Sequence, residues 1–134
     1  MDRDIVTVVD AGDGSGILRV TTREASEYWP RGVIIEQDSD LLEVVILPGE
    51  SETRRFIRAL QRKNKVFRGH PVPETTRIGR ESSGTHLIVY VDHDPSSIFV
   101  QQEGDVLVLD SPAQVPELID AIRAHAETLG WGNV

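Results

Sequence analysis

The basic residues of this chain are concentrated in one short segment. Residues 54–68 contain seven Lys or Arg residues and no Asp or Glu, although the chain of 134 residues has a formal net charge of −8. Arginines four positions apart share one face of a helix, and guanidinium groups pair with carboxylates and phosphates. We therefore predict a basic helix face that contacts an acidic protein surface or nucleic-acid phosphate. The residues assigned to this face are Arg54, Arg55, Arg58, Arg62 and Lys63.

A second interpretation of the same segment is purely structural. The chain has 22 Asp and Glu residues, and these would neutralise the cluster if it were simply a solvated face of the fold. Like charges four positions apart destabilise an isolated helix by about 0.2–0.5 kcal/mol per pair, so something must compensate for the arginines. The sequence leaves both interpretations open.

A second candidate contact site combines aromatic and basic side chains. Tyr28 and Trp29 lie next to each other, and Arg31 follows after one proline. Trp, Tyr and Arg are enriched among the residues that dominate the energy of protein interfaces. The alternative is that Trp29 is a core anchor between two strands.

The segment Asp92-His93-Asp94 has the residue types of a metal site or of a general base. A histidine beside carboxylates can bind a divalent cation or accept a proton. Consecutive residues of an extended chain point in opposite directions, however, and Pro95 follows directly. We expect an exposed turn there, with a metal site as the alternative.

Other catalytic and cofactor signatures are missing from the sequence. The chain has no cysteine, which excludes disulfides, thiolate nucleophiles and cysteine-bound metals. No serine lies in a Gly-x-Ser-x-Gly motif of the kind found in hydrolases. We therefore expect no catalytic residues and no cofactor, and we expect that the protein is not an enzyme.

The elements that would position these residues occur in two similar halves. Each half has short β-branched runs separated by Gly, Pro and Asp turns, and then an amphipathic helix, at 51–65 and at 111–130. With an offset of 62 residues the apolar positions of the halves coincide. The pattern predicts an α+β fold in which both helices pack on a largely antiparallel sheet. The matching pairs are Leu47 with Leu109, Phe56 with Leu118, Ile57 with Ile119, Ala59 with Ala121, and Leu60 with Ile122.

Residues 1–134 are therefore expected to form a single domain with half-repeats at 4–66 and 75–130 and a linker at 69–74. The repeats indicate either a pseudo-two-fold duplication or two independent uses of a common structural unit. No apolar run approaches the roughly 20 residues of a membrane helix. We expect a cytoplasmic protein, monomeric or homodimeric and not bound to membranes. The excess of Arg over Lys suits a bacterial or phage origin.

Three functions remain as expectations. The first is a non-catalytic protein-interaction module of the inhibitor, immunity, chaperone or adaptor type, which binds a protein partner through its charged or aromatic surface. The first alternative is nucleic-acid binding through the basic helix at 54–68, although the acidic balance of the whole chain disfavours nonspecific DNA binding. The second alternative is a small-molecule-binding protein or enzyme with a pocket between sheet and helices.

Overall fold

The computed structural model describes residues 7–9, 17–27, 30–38, 41–65, 75–91, 97–109 and 113–134. These residues form two four-stranded antiparallel sheets and two helices, so the predicted α+β class is confirmed, and each half ends in a helix. The first half contains β1 (Thr7–Val9), β2 (Leu18–Arg23), β3 (Gly32–Asp38), β4 (Leu42–Leu47) and α1 (Glu50–Lys63). The second half contains β5 (Thr76–Ile78), β6 (Leu87–Val91), β7 (Ile98–Gln102), β8 (Asp105–Leu109) and α2 (Gln114–Thr128).

Both sheets are simple meanders with alternating inward and outward side chains. In the first sheet Val20, Ile35 and Val45 lie in one row across neighbouring strands, and all three are fully buried. Valine and isoleucine are strongly preferred on such a pleated, buried surface. The second sheet has an equivalent inner row, and the two inner faces belong to one continuous hydrophobic core.

Each helix packs mainly on the sheet of the other half. α1 lies against β5 and β6, whereas α2 lies against β1, β2 and β3, and the two helices also contact each other. Neither half therefore covers its sheet with its own helix. Burial of apolar surface is the main stabilising term in folding. Because each helix buries its apolar side mainly on the sheet of the other half, the described parts of the two halves form one folding unit.

A single sheet shared by both halves, the simplest arrangement suggested by the sequence, is not what the structure shows. The described strands form two separate hydrogen-bonded sheets, which meet along a seam between the edge strands β4 and β8. Two buried glutamines bridge this seam. The Gln37 side chain donates to the Val108 carbonyl and accepts from the Val108 N–H, both at 2.8 Å. The Gln102 side chain makes the same pair of bonds with Ile46, again at 2.8 Å. Each amide thus occupies the place of a neighbouring strand.

Two carboxylates complete the seam with the same symmetry. Glu43 accepts a hydrogen bond from the Val106 N–H, and Asp105 accepts one from the Val44 N–H, both at 3.3 Å. Residues 43 and 105, like 44 and 106, are related by the offset of 62 seen in the sequence. These bonds satisfy backbone groups of edge strands, which otherwise attract another chain.

Both ends of α1 and the C-terminal end of α2 lie within two residues of the positions predicted from the sequence. α1 begins at Glu50, after Gly49, which provides no side-chain cap, and ends at Lys63. α2 ends at Thr128, and Gly130 beyond it has a φ of +81°, which suits glycine. The N–H of Trp131 then bonds to the Ala126 carbonyl at 2.9 Å, and Trp131 packs on the core. Among the described residues, no helix is long and apolar enough to cross a membrane.

Candidate interaction surface

The outer side of α1 carries the arginines that the sequence singled out. Arg55, Arg58 and Arg62 are exposed, and Arg54 is half-buried. The opposite side holds Phe56 and other apolar residues against the core, so the amphipathic pattern fixes which way the guanidinium groups face. We call the surface formed by Arg55, Arg58 and Arg62 the arginine face.

Two arginines of α1 are held in place by backbone carbonyls. Arg54 donates to the carbonyl of Asn133 at 3.3 Å, and the Asn133 N–H donates to Glu50 at 3.0 Å. Arg55 donates to the carbonyl of Arg77 at 3.5 Å. These contacts tie the first turns of α1 to the C-terminal segment and to β5 without removing any positive charge.

The arginine face is not neutralised by carboxylates within the described part of the chain. None of its three guanidinium groups forms an ion pair there, and Arg58 and Arg62 form no hydrogen bond there either. Arg58 and Arg62 are four residues apart, so their charges repel each other on the helix surface. The structural interpretation requires acidic residues that neutralise the arginines, and the described part of the chain shows none paired with the arginine face.

Lys63 does not belong to this surface, contrary to its assignment from the sequence. Its side chain is fully buried and donates to Thr76 Oγ1 at 2.8 Å. Burial, together with the nearby charge of Arg62, lowers the pKa of Lys63 to about 8. The helical spacing explains the placement, because position 63 follows the buried positions 56 and 60 on the inward side of α1.

The aromatic candidate site can be followed only in part. Arg31 is exposed and forms a 3.7 Å ion pair with Glu24, which is exposed as well. Surface pairs of this kind contribute about 0–1 kcal/mol, so Arg31 remains accessible to a partner. Tyr28 and Trp29 lie outside the described residues, and their proposed contact role stays a prediction.

The metal candidates Asp92, His93 and Asp94 also lie outside the described residues. Within the described ranges, no group of three or more His, Asp or Glu side chains is arranged to hold a metal ion. Of the other histidines, His125 is buried on the inward side of α2, where desolvation lowers its pKa. It occupies the position equivalent to Lys63, so both helices place a basic side chain in the core.

A recess between the two helices borders the arginine face. It has a volume of about 280 Å³ and is lined by Gln61 and Asn64 of the first helical segment and by Ile119, Asp120 and Arg123 of α2, among others. Within the described structure, the buried Oδ1 atom of Asn64 has no hydrogen-bond donor. An unsatisfied buried acceptor costs roughly 1–3 kcal/mol.

The seam glutamines are the main feature that sequence reasoning missed. Gln37 and Gln102 are 3% and 5% exposed, and a buried glutamine needs partners for its amide. A sequence signal did exist, because each glutamine interrupts a strand at an inward-facing position. Their distance of 65 rather than 62 residues concealed the relation, since five residues separate Gln37 from its paired residue Glu43, whereas two separate Gln102 from its paired residue Asp105.

The two helices match in burial but carry opposite charges at two exposed positions. At the offset of 62, Arg55 corresponds to Glu117 and Arg58 to Asp120, and all four side chains are exposed. Lys65, just after α1, corresponds to Glu127, and both are exposed as well. A scan of protein-family models and a search of curated protein sequences each found no match to the chain.

Proposed function

We propose that this protein is a non-catalytic protein-interaction module that binds an acidic surface of a partner protein through its arginine face. The observation that carries the proposal is the charge inversion between α1 and α2. Because α2 fills the equivalent position in the fold with Glu117 and Asp120, folding does not require arginines at 55 and 58. Like-charge repulsion between neighbouring arginines destabilises α1, and an acidic surface on a binding partner explains why these arginines are present.

Three further features support an interface at this place. The arginines project from a regular helix, which holds them more firmly than a loop would. Arg is enriched in interface hot spots, and its planar group can form two parallel bonds with a carboxylate. The recess beside α1, with a volume of about 280 Å³, is large enough to receive a side chain of the partner.

Nucleic acid is the second candidate, favoured by the same guanidinium groups, which form no ion pair with the described residues. Two observations weigh against it. The face is short, since positions 55 to 62 span about 10 Å along the helix at 1.5 Å per residue. It is also bordered by acidic residues, with Glu52 in the first turn of α1 and Asp120 across the recess. A continuous phosphate backbone would meet these carboxylates, whereas a protein can place its acidic groups between them.

The test is a quantitative pull-down from a lysate of the source cell, with and without nuclease. The bait proteins are the wild type, the Arg58→Glu/Arg62→Glu variant, and, as a control, Arg80→Glu, which reverses an exposed charge between β5 and β6, outside the recess. We expect one protein to be retained after nuclease treatment by the wild type and the control, and to be lost with the double variant.

Two outcomes would overturn this proposal. If nuclease treatment abolishes retention, the arginine face binds nucleic acid instead of a protein. The affinity for nucleic acid should then fall steeply with salt concentration. Equal retention by the double variant and the wild type would show that the arginine face does not contact the partner. Circular dichroism of each bait confirms that losses are not caused by unfolding.

A further inference from the structure

A cavity of about 270 Å³ lies at the seam, on the outer side of β3 and β4, away from the hydrophobic core. Its floor is apolar and consists of Ile34, Val44 and Ile46, which point outward from β3 and β4. Ile34 and Ile46 are nevertheless only 5% and 4% exposed, and they do not belong to the central core cluster. Residues of the second half, Gly84 and Glu103, line the same cavity.

Two side chains of opposite charge stand at the rim of this seam cavity. Arg23, at the end of β2, and Glu103, in the turn between β7 and β8, both line it and are both exposed. Within the described ranges, neither forms an ion pair or a side-chain hydrogen bond. Asp105 also lines the cavity, but its carboxylate already accepts the Val44 N–H. The lining of the cavity thus combines an apolar floor with the guanidinium group of Arg23 and the carboxylates of Glu103 and Asp105.

The backbone holds Glu103 in this place at a conformational cost. Its φ is +54°, the left-handed region where glycine and asparagine are favoured and glutamate is uncommon. Backbone outliers of this kind concentrate at functional sites. Gly84 lies beside this side chain, and a Cβ atom there would make an ordinary van der Waals contact of 3.4 Å with Glu103 Oε1. The turn between β7 and β8 thus places the Glu103 carboxylate in the lining of the cavity.

The other half of the molecule is built differently at the equivalent place. The residues related to Ile34 and Ile46 by strand register are Phe99 and Val108, which are paired across β7 and β8 and half-exposed. Phe99 stacks on Tyr90 with ring centroids 5.2 Å apart. The seam cavity is therefore not a necessary consequence of the repeated fold.

We propose that the seam cavity binds a free amino acid with an aliphatic side chain. Glu103 receives the α-ammonium group, Arg23 pairs with the α-carboxylate, and the side chain lies on the floor formed by Ile34, Val44 and Ile46. The volume is just below the range of roughly 300–1,000 Å³ typical of drug-sized ligands, which suits a smaller molecule. This site is separate from the arginine face, and the proposal does not depend on the function assigned to that face.

The test uses isothermal titration calorimetry of the full chain with L-leucine and two analogues. Leucinamide keeps the ammonium group but lacks the carboxylate, and 4-methylpentanoate keeps the carboxylate but lacks the ammonium group. We expect saturable binding of L-leucine and about tenfold weaker binding of either analogue, since each loses one charged contact. Ligand-induced stabilisation in a thermal shift assay provides a second readout.

Matched variants assign the contacts to the cavity. Glu103→Asn removes the carboxylate and suits the positive φ, so the variant should fold at least as well as the wild type while it loses the preference for L-leucine over 4-methylpentanoate. Arg23→Gln should lose the preference for L-leucine over leucinamide. Arg77→Gln and Glu81→Gln, which change exposed charges outside this cavity, should bind L-leucine like the wild type.

Three results would overturn the proposal. The first is absence of saturable L-leucine binding to the folded wild type. The second is equal binding of leucinamide, which would assign the cavity to the N-terminal residue of a peptide rather than to a free amino acid. The third is unchanged selectivity in both the Glu103→Asn and the Arg23→Gln variants.

Discussion

The two halves of this molecule agree on the inside and differ on the outside. Inside, Gln37 and Gln102 bridge the seam with equivalent bonds, and each helix buries a basic side chain at the same position, Lys63 in α1 and His125 in α2. Outside, Arg58 of α1 corresponds to an aspartate of α2. Features that recur in both halves serve the fold, and features present in one half are the ones free to serve binding.

The largest expected effect concerns the seam. Gln102→Leu leaves the N–H and the carbonyl of Ile46 without partners, and it also removes a bond to the Thr85 carbonyl. Each unsatisfied buried group costs about 1–3 kcal/mol, so we expect the free energy of unfolding to fall by about 3–5 kcal/mol. Urea denaturation measures it.

Gln37→Leu is the matched variant in the other half, and symmetry predicts a loss of similar size. A loss below about 1 kcal/mol in either variant, less than one orphaned group should cost, would show that the seam is not the shared structural element. A large loss in one half and none in the other would break the comparison directly.

The second prediction concerns the buried basic pair. The folded-state pKa of Lys63 is about 8, below the ordinary value of 10.5, so the folded state binds fewer protons than the unfolded state between these pH values. Stability therefore rises with pH across this window and is lowest below pH 8. Lys63→Met removes the buried charge, and we expect it to be more stable than the wild type by about 2 kcal/mol at pH 7.

The advantage of Lys63→Met should shrink as the pH rises from 8 and disappear above 10.5, because Lys63 is then neutral in both states of the wild type. His125→Leu is the matched variant, and the lowered pKa of His125 predicts that its advantage grows as the pH falls below 6.5 and is complete below the folded pKa. Unfolding curves at several pH values measure both. A pH-independent difference in either half would contradict the assigned cause.

The third prediction concerns the turn between β7 and β8, which differs from the turn between β3 and β4 in the first half. Glu103→Asn relieves an unfavourable backbone conformation in the second half, and we expect it to raise the free energy of unfolding by about 1 kcal/mol. Thermal unfolding without ligand measures the change. A destabilised variant would mean that the Glu103 side chain supports the fold, and would weaken its assignment to the seam cavity.

The smallest expected effect on stability comes from copying the charges of α2 into α1. Arg55→Glu/Arg58→Asp places in α1 the residue types found at 117 and 120 of α2. Because the replaced side chains are exposed and their repulsion is modest, the free energy of unfolding should change by less than about 0.5 kcal/mol. A loss above about 2 kcal/mol, beyond the usual range for surface substitutions, would show that the arginines are structural after all.

Much of the fold could be predicted from the sequence because its inner residues obey simple periodicities. The apolar series around Phe56 and Leu118 fixed both helices and their relation by 62 residues. Lys63 was misassigned because its charge suggested the surface, whereas the same helical spacing places it on the buried side of α1. Local patterns also could not show that α1 covers the sheet of the second half, because that arrangement depends on contacts between distant segments.

The candidate sites were harder to predict for a physical reason. The arginine cluster is contiguous in sequence, so its helix face could be foreseen. The seam cavity joins Arg23 to Glu103 across the junction of the two halves, and no spacing along the chain indicates such a pair. The glutamine bridges have the same long-range origin.

The most direct test of the central claim is partner capture by two proteins with exchanged helix charges. One carries Arg55→Glu/Arg58→Asp in α1, and the other carries Glu117→Arg/Glu127→Arg in α2, outside the recess; both are compared with the wild type after nuclease treatment. The account predicts that the α1 variant loses the partner while the α2 variant keeps it. Equal capture by the α1 variant and the wild type would contradict the claim that the arginine face is the binding surface.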